Sequence, residues 1–482
     1  MTGIIIFLVY GVILYFLCLR VKRKNAEKTV KNLLFSEGNL SSSVLIPGIF
    51  NSWLWATSII GAAEACLVYG FYGGISFAVG TGIGVCAAVF FIIKFKRHME
   101  GNIFITDFVR ARFCESTELL FYVAVVLIVI YMIIEQAVGL GSVFSALFGM
   151  SFKNIAFFSI FIALVFVIYG GMRGVILNDI LSFAVIFVSM FFLLYAIYGN
   201  FDALGFIGNL YNRQKAVYGS KSTIYCLCYG VSAMIRGFAQ ILLDPAYYLK
   251  AHLAKDRKTF VRSFIAGGVV LWVPFVAISS LLFGYITTGF GEEYHASLNM
   301  GHIVSNILVF RNSAPVVKTA FGVFLLLIAF TSIMNSIIGI WSIGALKIYP
   351  KYANPNADET QCLKYGALFT ALMVLVCSLV AVSLEQMSLF TIDVFSGIFF
   401  STPAGILVSG MFGRKKYGSG AVYALVLGLI TGFVTWIYFR NSDIGYFYAT
   451  AASFASPVLF LFCASHIKNE DDFNFASLRF KK

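Results

Sequence analysis

The sequence predicts an all-α polytopic membrane protein of about thirteen transmembrane helices, arranged as a five-plus-five inverted-repeat core with peripheral helices. Three observations predict it. First, the chain has 482 residues, of which 60% are hydrophobic and only 12% charged, and its mean hydropathy is +0.88. A water-soluble domain of that length cannot bury so much apolar surface. Second, the net charge of +13 is gathered in short loops between apolar runs. That is the pattern of membrane topology, and it excludes the nucleic-acid partner that a basic chain would otherwise suggest. Third, two apolar segments carry helix-loosening polar residues in their middles. One is Asn51-Ser-Trp-Leu-Trp-Ala-Thr-Ser-Ile-Ile-Gly-Ala-Ala-Glu64, and the other is Gly230 to Pro245. A buried polar group without a partner costs several kcal/mol in hydrocarbon, so such groups belong where a spanning helix opens toward a cavity.

Taken in order, the spans fall roughly at 2–20, 46–70, 73–95, 117–147, 154–173, 177–199, 221–249, 259–289, 315–346, 363–384, 388–412, 419–439 and 444–466, each long enough for one crossing. The first run precedes Arg20-Val-Lys-Arg-Lys24 and has no basic flank before it, so it reads as a retained span. Lys22–Lys31, Lys94–Arg112, Arg173, Lys250–Arg262, Lys347–Lys351, Arg414–Lys416 and the Lys468–Lys482 tail share one side, the cytoplasmic one. The loops 200–220 and 290–314 lie opposite, which places the N-terminus outside and the C-terminus inside, in a plasma membrane. Spans 2 and 7 each open a run of five. Because five is odd, the second run starts on the other face, and the two are related by an axis in the membrane plane. The expected divisions are 1–45 (first peripheral helix and loop), 46–200 (first repeat), 221–412 (second repeat) and 413–482 (two peripheral helices and tail). Nine cysteines without a C-x-x-C pair give neither a disulfide framework nor a metal site.

Four local patterns then line up: Thr106-Asp107-Phe-Val-Arg110-Ala-Arg112-Phe113, Tyr169-Gly170-Gly171-Met-Arg173 with Asp179, Leu243-Asp244-Pro-Ala-Tyr247 with Lys250, and Ala329-Phe-Thr331-Ser332 with Asn335. In this order they resemble the solute:sodium symporter family over roughly residues 46–412. Trp53-Leu-Trp55-Ala56 and Tyr69-Gly70-Phe-Tyr-Gly73 are most similar to its urea active transporter branch, which has Asp-Gln where this chain has Asp244-Pro245. The resemblance implies a leucine-transporter-type core and a sodium site built from the carbonyls of Asn51, Leu54 and Ile328 with the hydroxyls of Thr331 and Ser332. No cofactor is implied beyond the coupling ion. The alternative for Thr331 and Ser332 is that both bond back to carbonyls one turn earlier.

The solute is expected near mid-membrane, between the two interruptions. Candidate contacts are Trp53, Trp55, Ser58 and Glu64 on span 2, Glu135 and Gln136 on span 4, Tyr229, Arg236 and Gln240 on span 7, and Asp393 and Ser396 on span 11. Tryptophan and tyrosine stack on a small planar solute and still offer a polar tip, and amide and carboxylate groups match urea. Arg236 sets a fork. Paired with Glu135 or Glu64 it is structural and the solute is neutral; unpaired, it clamps a carboxylate. Glu64, Glu135 and Asp393 are placed to relay a proton if a proton is the coupling ion. Arg173 and Asp179 are expected to flank an exposed cytoplasmic turn, and Asp107 with Arg110 and Arg112 to belong to a cytoplasmic helix lying against the bundle.

The expected activity is therefore sodium-coupled symport of a small polar solute, urea-like, by alternating access, in a monomer or weak homo-oligomer. The rivals are a proton-coupled carrier of an amino or organic acid and a non-transporting sensor or channel. No Ser-His pairing, metal-ligand cluster or phosphate-binding glycine loop supports an enzyme.

Overall fold

A computed structural model describes residues 2–22, 29–36, 38–69, 71–99, 103–198, 221–288, 313–385, 387, 389–442, 444–467, 471–475 and 478. The expected outer loops 200–220 and 290–314, and the end of the tail, lie largely outside the described residues. The chain is nearly all helix: α1 (Thr2–Lys22), α2 (Val30–Leu33), α3 (Ser42–Trp53), α4 (Ala56–Tyr69), α5 (Phe71–His98), α6 (Ile105–Arg112), α7 (Glu115–Phe148), α8 (Phe152–Tyr198), α9 (Lys221–Leu243), α10 (Pro245–Leu253), α11 (Arg257–Ile265), α12 (Trp272–Thr288), α13 (Pro315–Ile343), α14 (Tyr349–Tyr352), α15 (Glu359–Ser383), α16 (Leu389–Phe412), α17 (Gly420–Tyr438) and α18 (Gly445–Ile467). Short π-helical stretches, Ala266–Leu271 and Gly344–Ile348, join α11 to α12 and α13 to α14. Among the described residues, eleven helices are long and apolar enough to cross a membrane, and the bent pair α3–α4 makes a twelfth span.

The 47 residues of α8 cover both spans expected between 154 and 199. Its break is Gly171, at φ 56° and ψ −162°. A β-carbon there would also lie 2.7 Å from the Leu33 carbonyl oxygen, so α2 closes on this turn because it is glycine. Gly171→Ala is expected to destabilise the fold by about 1–3 kcal/mol from backbone strain alone. Gly170→Ala is the control, because its β-carbon would meet nothing closer than 3.7 Å. Thermal unfolding in detergent compares the two.

Helix α13 forms the centre, buried along nearly its whole length from Phe321 to Ile343. It packs against α7, α8 and α3. The periphery reads oppositely: α1, α15 and α17 expose Leu8, Tyr15, Leu368, Leu379, Tyr423 and Val434, the surface that lipid covers. Helix α6 is tied down by Lys347 to Asp107 (2.7 Å), while Lys351 reaches Glu118 at the start of α7 (2.5 Å). Arg112 is buried and donates to the carbonyls of Gly410, in the last turn of α16, and of Gly413 and Lys415 beyond it. That cations satisfy helix-terminal carbonyls follows from the unpaired acceptors of a last turn.

The closest helix contact sets α9 against α5. A β-carbon on Gly80 would lie 2.0 Å from the Gly230 carbonyl oxygen, and one on Gly84 2.5 Å from that of Met234. Small residues let the two backbones touch, as membrane helices without a hydrophobic drive between them require. This corrects the expectation that span 7 opens in the middle of the segment from Gly230 to Pro245. Helix α9 runs unbroken to Leu243, and the interruption is at Asp244, whose backbone is extended and whose side-chain Oδ1 caps α10 by accepting from the Ala246 amide (2.8 Å). Pro245, lacking an N–H, starts the new helix.

Candidate functional site

The first interruption lies where it was expected. Helices α3 and α4 meet at 46° across Leu54-Trp55, and Leu54 is extended. The amides that would continue the helix are redirected. Trp55 donates to Ser58 Oγ (3.0 Å) and Ala56 to Gln136 Oε1 on α7 (2.7 Å). The Asn51 and Ser52 carbonyls thereby lose their i+4 donors. Ser52 is compensated by the indole N–H of Trp55 (2.6 Å) and the Tyr247 hydroxyl (3.1 Å). Tyr247 belongs to α10, so the two interrupted spans meet here.

Beside the break is a narrow cavity lined by side chains from six segments, among them Trp53, Trp55, Ser58, Arg236, Gln240 and Asp393. All six were expected at the solute site. Trp53 stacks edge-on against Trp55 (centroids 5.1 Å apart) and faces Trp272 (6.1 Å), which donates to the Trp53 carbonyl (2.8 Å). Four buried nitrogens here make no hydrogen bond: Trp53 Nε1, Gln240 Nε2, and Nε and Nη2 of Arg236. All four are donors. Each unmet donor in an apolar site is costly, so the cavity suits a ligand that brings acceptors.

Arg236 pairs with Asp393 of α16 through Nη1 and Oδ2, both buried, in place of the Glu135 or Glu64 expected from the sequence. Its guanidinium also sits over the face of the Tyr229 ring, 5.6 Å from the ring centre. Tyr131 links this pair to Glu135, donating toward Glu135 Oε1 (3.1 Å) and lying 3.4 Å from Asp393 Oδ1. Glu135, Gln136, Tyr229 and Ser396 do not line the cavity. Gln136 caps the broken helix, and Ser396 Oγ bonds back to the Asp393 carbonyl (2.6 Å). The Glu64 side chain lies outside what is described. Sequence reading missed Trp272, Thr57 and Thr81 in the wall. A tryptophan inside span 8 was the available signal for the first; the threonines had none that separated them from packing hydroxyls.

On the other side of α3, Asn51 donates to the Asp179 carbonyl (2.7 Å). Asn335 donates both to Asp179 Oδ1 (3.0 Å) and to the Thr331 carbonyl (2.8 Å). Asp179 thus connects the broken span to the helix turn that bears Thr331 and Ser332. It is fully buried, which corrects its placement at an exposed turn, and its charge partner is Lys250 of α10 (3.6 Å), equally buried. Thr331 Oγ1 bonds back to Leu327 and Ile328 (2.8 and 3.0 Å), and Ser332 is buried beside it.

A broken span facing a donor-rich cavity at the centre of a helical membrane bundle defines a secondary transporter of the inverted-repeat class. Residues 34–428 match the sodium:solute symporter family, and the chain belongs to it. Among curated relatives it is 21% identical over 423 residues to the probable urea active transporter 3 of Schizosaccharomyces pombe, spanning 83% of this chain and 64% of that one. It is also 21% identical to the urea-proton symporter DUR3 of Oryza sativa subsp. japonica, over 83% of this chain and 59% of the relative. The chain therefore spans somewhat less than two thirds of the length of these relatives. Among solved structures, the substrate-bound outward-open state of a Na+-coupled sialic acid symporter shares the fold, with a TM-score of 0.75 at 16% identity, covering 97% of this chain and 98% of that one. Mhp1, a nucleobase-cation-symport-1 family transporter, matches with a TM-score of 0.56 at 14% identity, over 92% of this chain and 96% of that one. The fold is thus the leucine-transporter-type bundle.

Proposed function

We propose that the chain imports a small neutral carbonyl solute, urea or a close analogue, together with sodium. The carrying observation is the cavity at the α3–α4 break, where four N–H donors lack partners, two of them on an arginine already neutralised by Asp393 and the others on Trp53 and Gln240. A urea oxygen answers those donors, and its flat face fits against Trp53 and Trp55. The neutral pair disfavours a carboxylate solute. Urea transporters among the relatives support the same reading.

Sodium is assigned to the carbonyls of Asn51, Leu54 and Ile328 and the oxygens of Thr331 and Ser332. The redirected Trp55 amide supports this, because it releases the Asn51 carbonyl. One monovalent cation moving down 100 mV supplies about 2.3 kcal/mol, enough for roughly 50-fold accumulation of a neutral solute. Residues 46–200 and 221–412 act as the two rocking repeats, with the N-terminus outside and the C-terminus inside at the plasma membrane. A second reading, proton coupling, is favoured by the Glu135–Tyr131–Asp393 chain and by the proton-coupled relative.

The test is uptake of labelled urea by the full chain in liposomes with a negative interior. Concentrative uptake is expected with outside sodium and background uptake with choline. Uptake that ignores sodium but follows an inward proton gradient replaces the first reading by the second. Uptake driven by neither, with labelled carboxylates equally inert, removes both.

A further inference from the structure

Residues beyond α18 fold back onto the bundle. Asp471–Phe473 run antiparallel to Arg414–Lys416, the link between α16 and α17. The Lys416 amide donates to the Asp471 carbonyl (2.9 Å), and the Phe473 amide to that of Arg414 (2.6 Å). Lys415 pairs with Asp472 and Lys416 with Asp471, each at 3.2 Å. The rings of Phe473 and Phe475 cover Arg112 at the end of α6, with centroids 4.1 and 5.5 Å from its guanidinium. Phe475 also meets His98, the last residue of α5, at 5.1 Å, and Leu478 is buried. Arg112 is thus shared. Its N–H groups hold carbonyls at and beyond the end of α16, and its flat face holds the returning segment.

The segment is fastened across a division of the chain. Helices α5 and α6 lie within 46–200 and α16 within 221–412, the two rocking repeats of the proposed cycle. Its fastening is also weak. The Asp471 and Asp472 side chains are 83% and 73% exposed, and ion pairs in such surroundings add little. Two backbone bonds outside any helix can open locally while the bundle stays folded. We propose that residues 471–475 are a reversible latch. Docked, they hold the two repeats together at this end of the bundle and slow the transport cycle; undocked, they leave the repeats free to rock. The effect on rate rests on the two-repeat transport reading, whereas opening of the latch is measured without transport.

Lys415 and Asp472 face each other as a non-hydrogen-bonded antiparallel pair, a geometry that places α-carbons about 4.5 Å apart, within disulfide reach. The full chain carrying Lys415→Cys and Asp472→Cys is reconstituted in liposomes, oxidised with copper phenanthroline and then reduced with dithiothreitol. Wild type and the two single variants are treated alike. Oxidation is expected to remove most urea uptake from the double variant alone, and reduction to restore it. Phe473→Ala with Phe475→Ala loosens the latch, and is expected to raise the maximal rate several-fold while the half-saturating sodium concentration stays unchanged. In wild type, hydrogen exchange in detergent is expected to reach the peptides bearing Lys416 and Phe473 well before the interior of α16. A pair that does not crosslink, an oxidised form as fast as the reduced one, or a loosened variant no faster than wild type overturns the proposal. So does exchange at Lys416 and Phe473 as slow as within α16, because a segment that never opens is a fixture. Urea uptake absent from every form removes the urea reading instead, and the exchange result then judges the latch alone.

Discussion

Arg236→Ala is expected to destabilise the protein by about 3–5 kcal/mol, the cost of leaving one member of a buried ion pair uncompensated. Asp393 is 6% exposed, and among the described residues Tyr131, at 3.4 Å, would remain to face the carboxylate. The arginine stem also fills space. A β-carbon on Gly397 of α16 would lie 2.9 Å from Arg236 Cδ, so the helix is in contact with the side chain it neutralises. Replacing both partners by apolar residues of similar volume, Arg236→Met with Asp393→Leu, is expected to restore most of the lost stability, since the desolvation of both charges is then avoided. Urea uptake does not return in the double variant, because the Nε and Nη2 donors are gone. Thermal unfolding and uptake on the same preparations separate the two effects. A double variant as unstable as Arg236→Ala shows that packing at Gly397, not charge, is what the arginine supplies.

The fold was readable because its determinants are local. Apolar run length marks each crossing, and Asn51, Ser52, Thr57 and Ser58 mark the first break, since polar groups in a span need somewhere to turn. Gly170-Gly171 marked the reversal within α8. The second break was misplaced because glycine has two uses in a membrane helix. Gly230 and Gly237 admit α5 and Trp53 to the backbone, with a β-carbon on Gly237 falling 3.4 Å from Trp53 Cζ2. They look like weak points and are contact points. The true signal was Asp244-Pro245, a capping side chain followed by a residue that favours a first turn. Side-chain pairing was not readable. Nothing in the sequence chooses Asp393 over Glu135 for Arg236, or joins Asp179 to Lys250, because those pairs depend on how helices far apart in the chain are brought together.

Ser332→Ala is expected to raise the sodium concentration for half-maximal urea uptake by about 10–100-fold, the loss of one interaction between a hydroxyl oxygen and a charged partner at about 1.5–3 kcal/mol. Thr331→Val should do the same. That hydroxyl directs its proton to Leu327 and Ile328, which leaves its lone pairs free to face a cation. A hydroxyl can thus bond back within its helix and still coordinate, so the two descriptions of this pair differ only in what sodium does. If the hydroxyls serve the helix alone, removing either changes stability slightly and leaves the sodium dependence where it was. If they hold the ion, the maximal rate at saturating sodium is kept while the half-maximal concentration moves. Uptake at several sodium concentrations, with membrane potential clamped by potassium and valinomycin, reads this directly. The site would then be completed by carbonyls of a helix that had to break to offer them, and an unchanged half-maximal concentration in both variants removes sodium from Thr331 and Ser332.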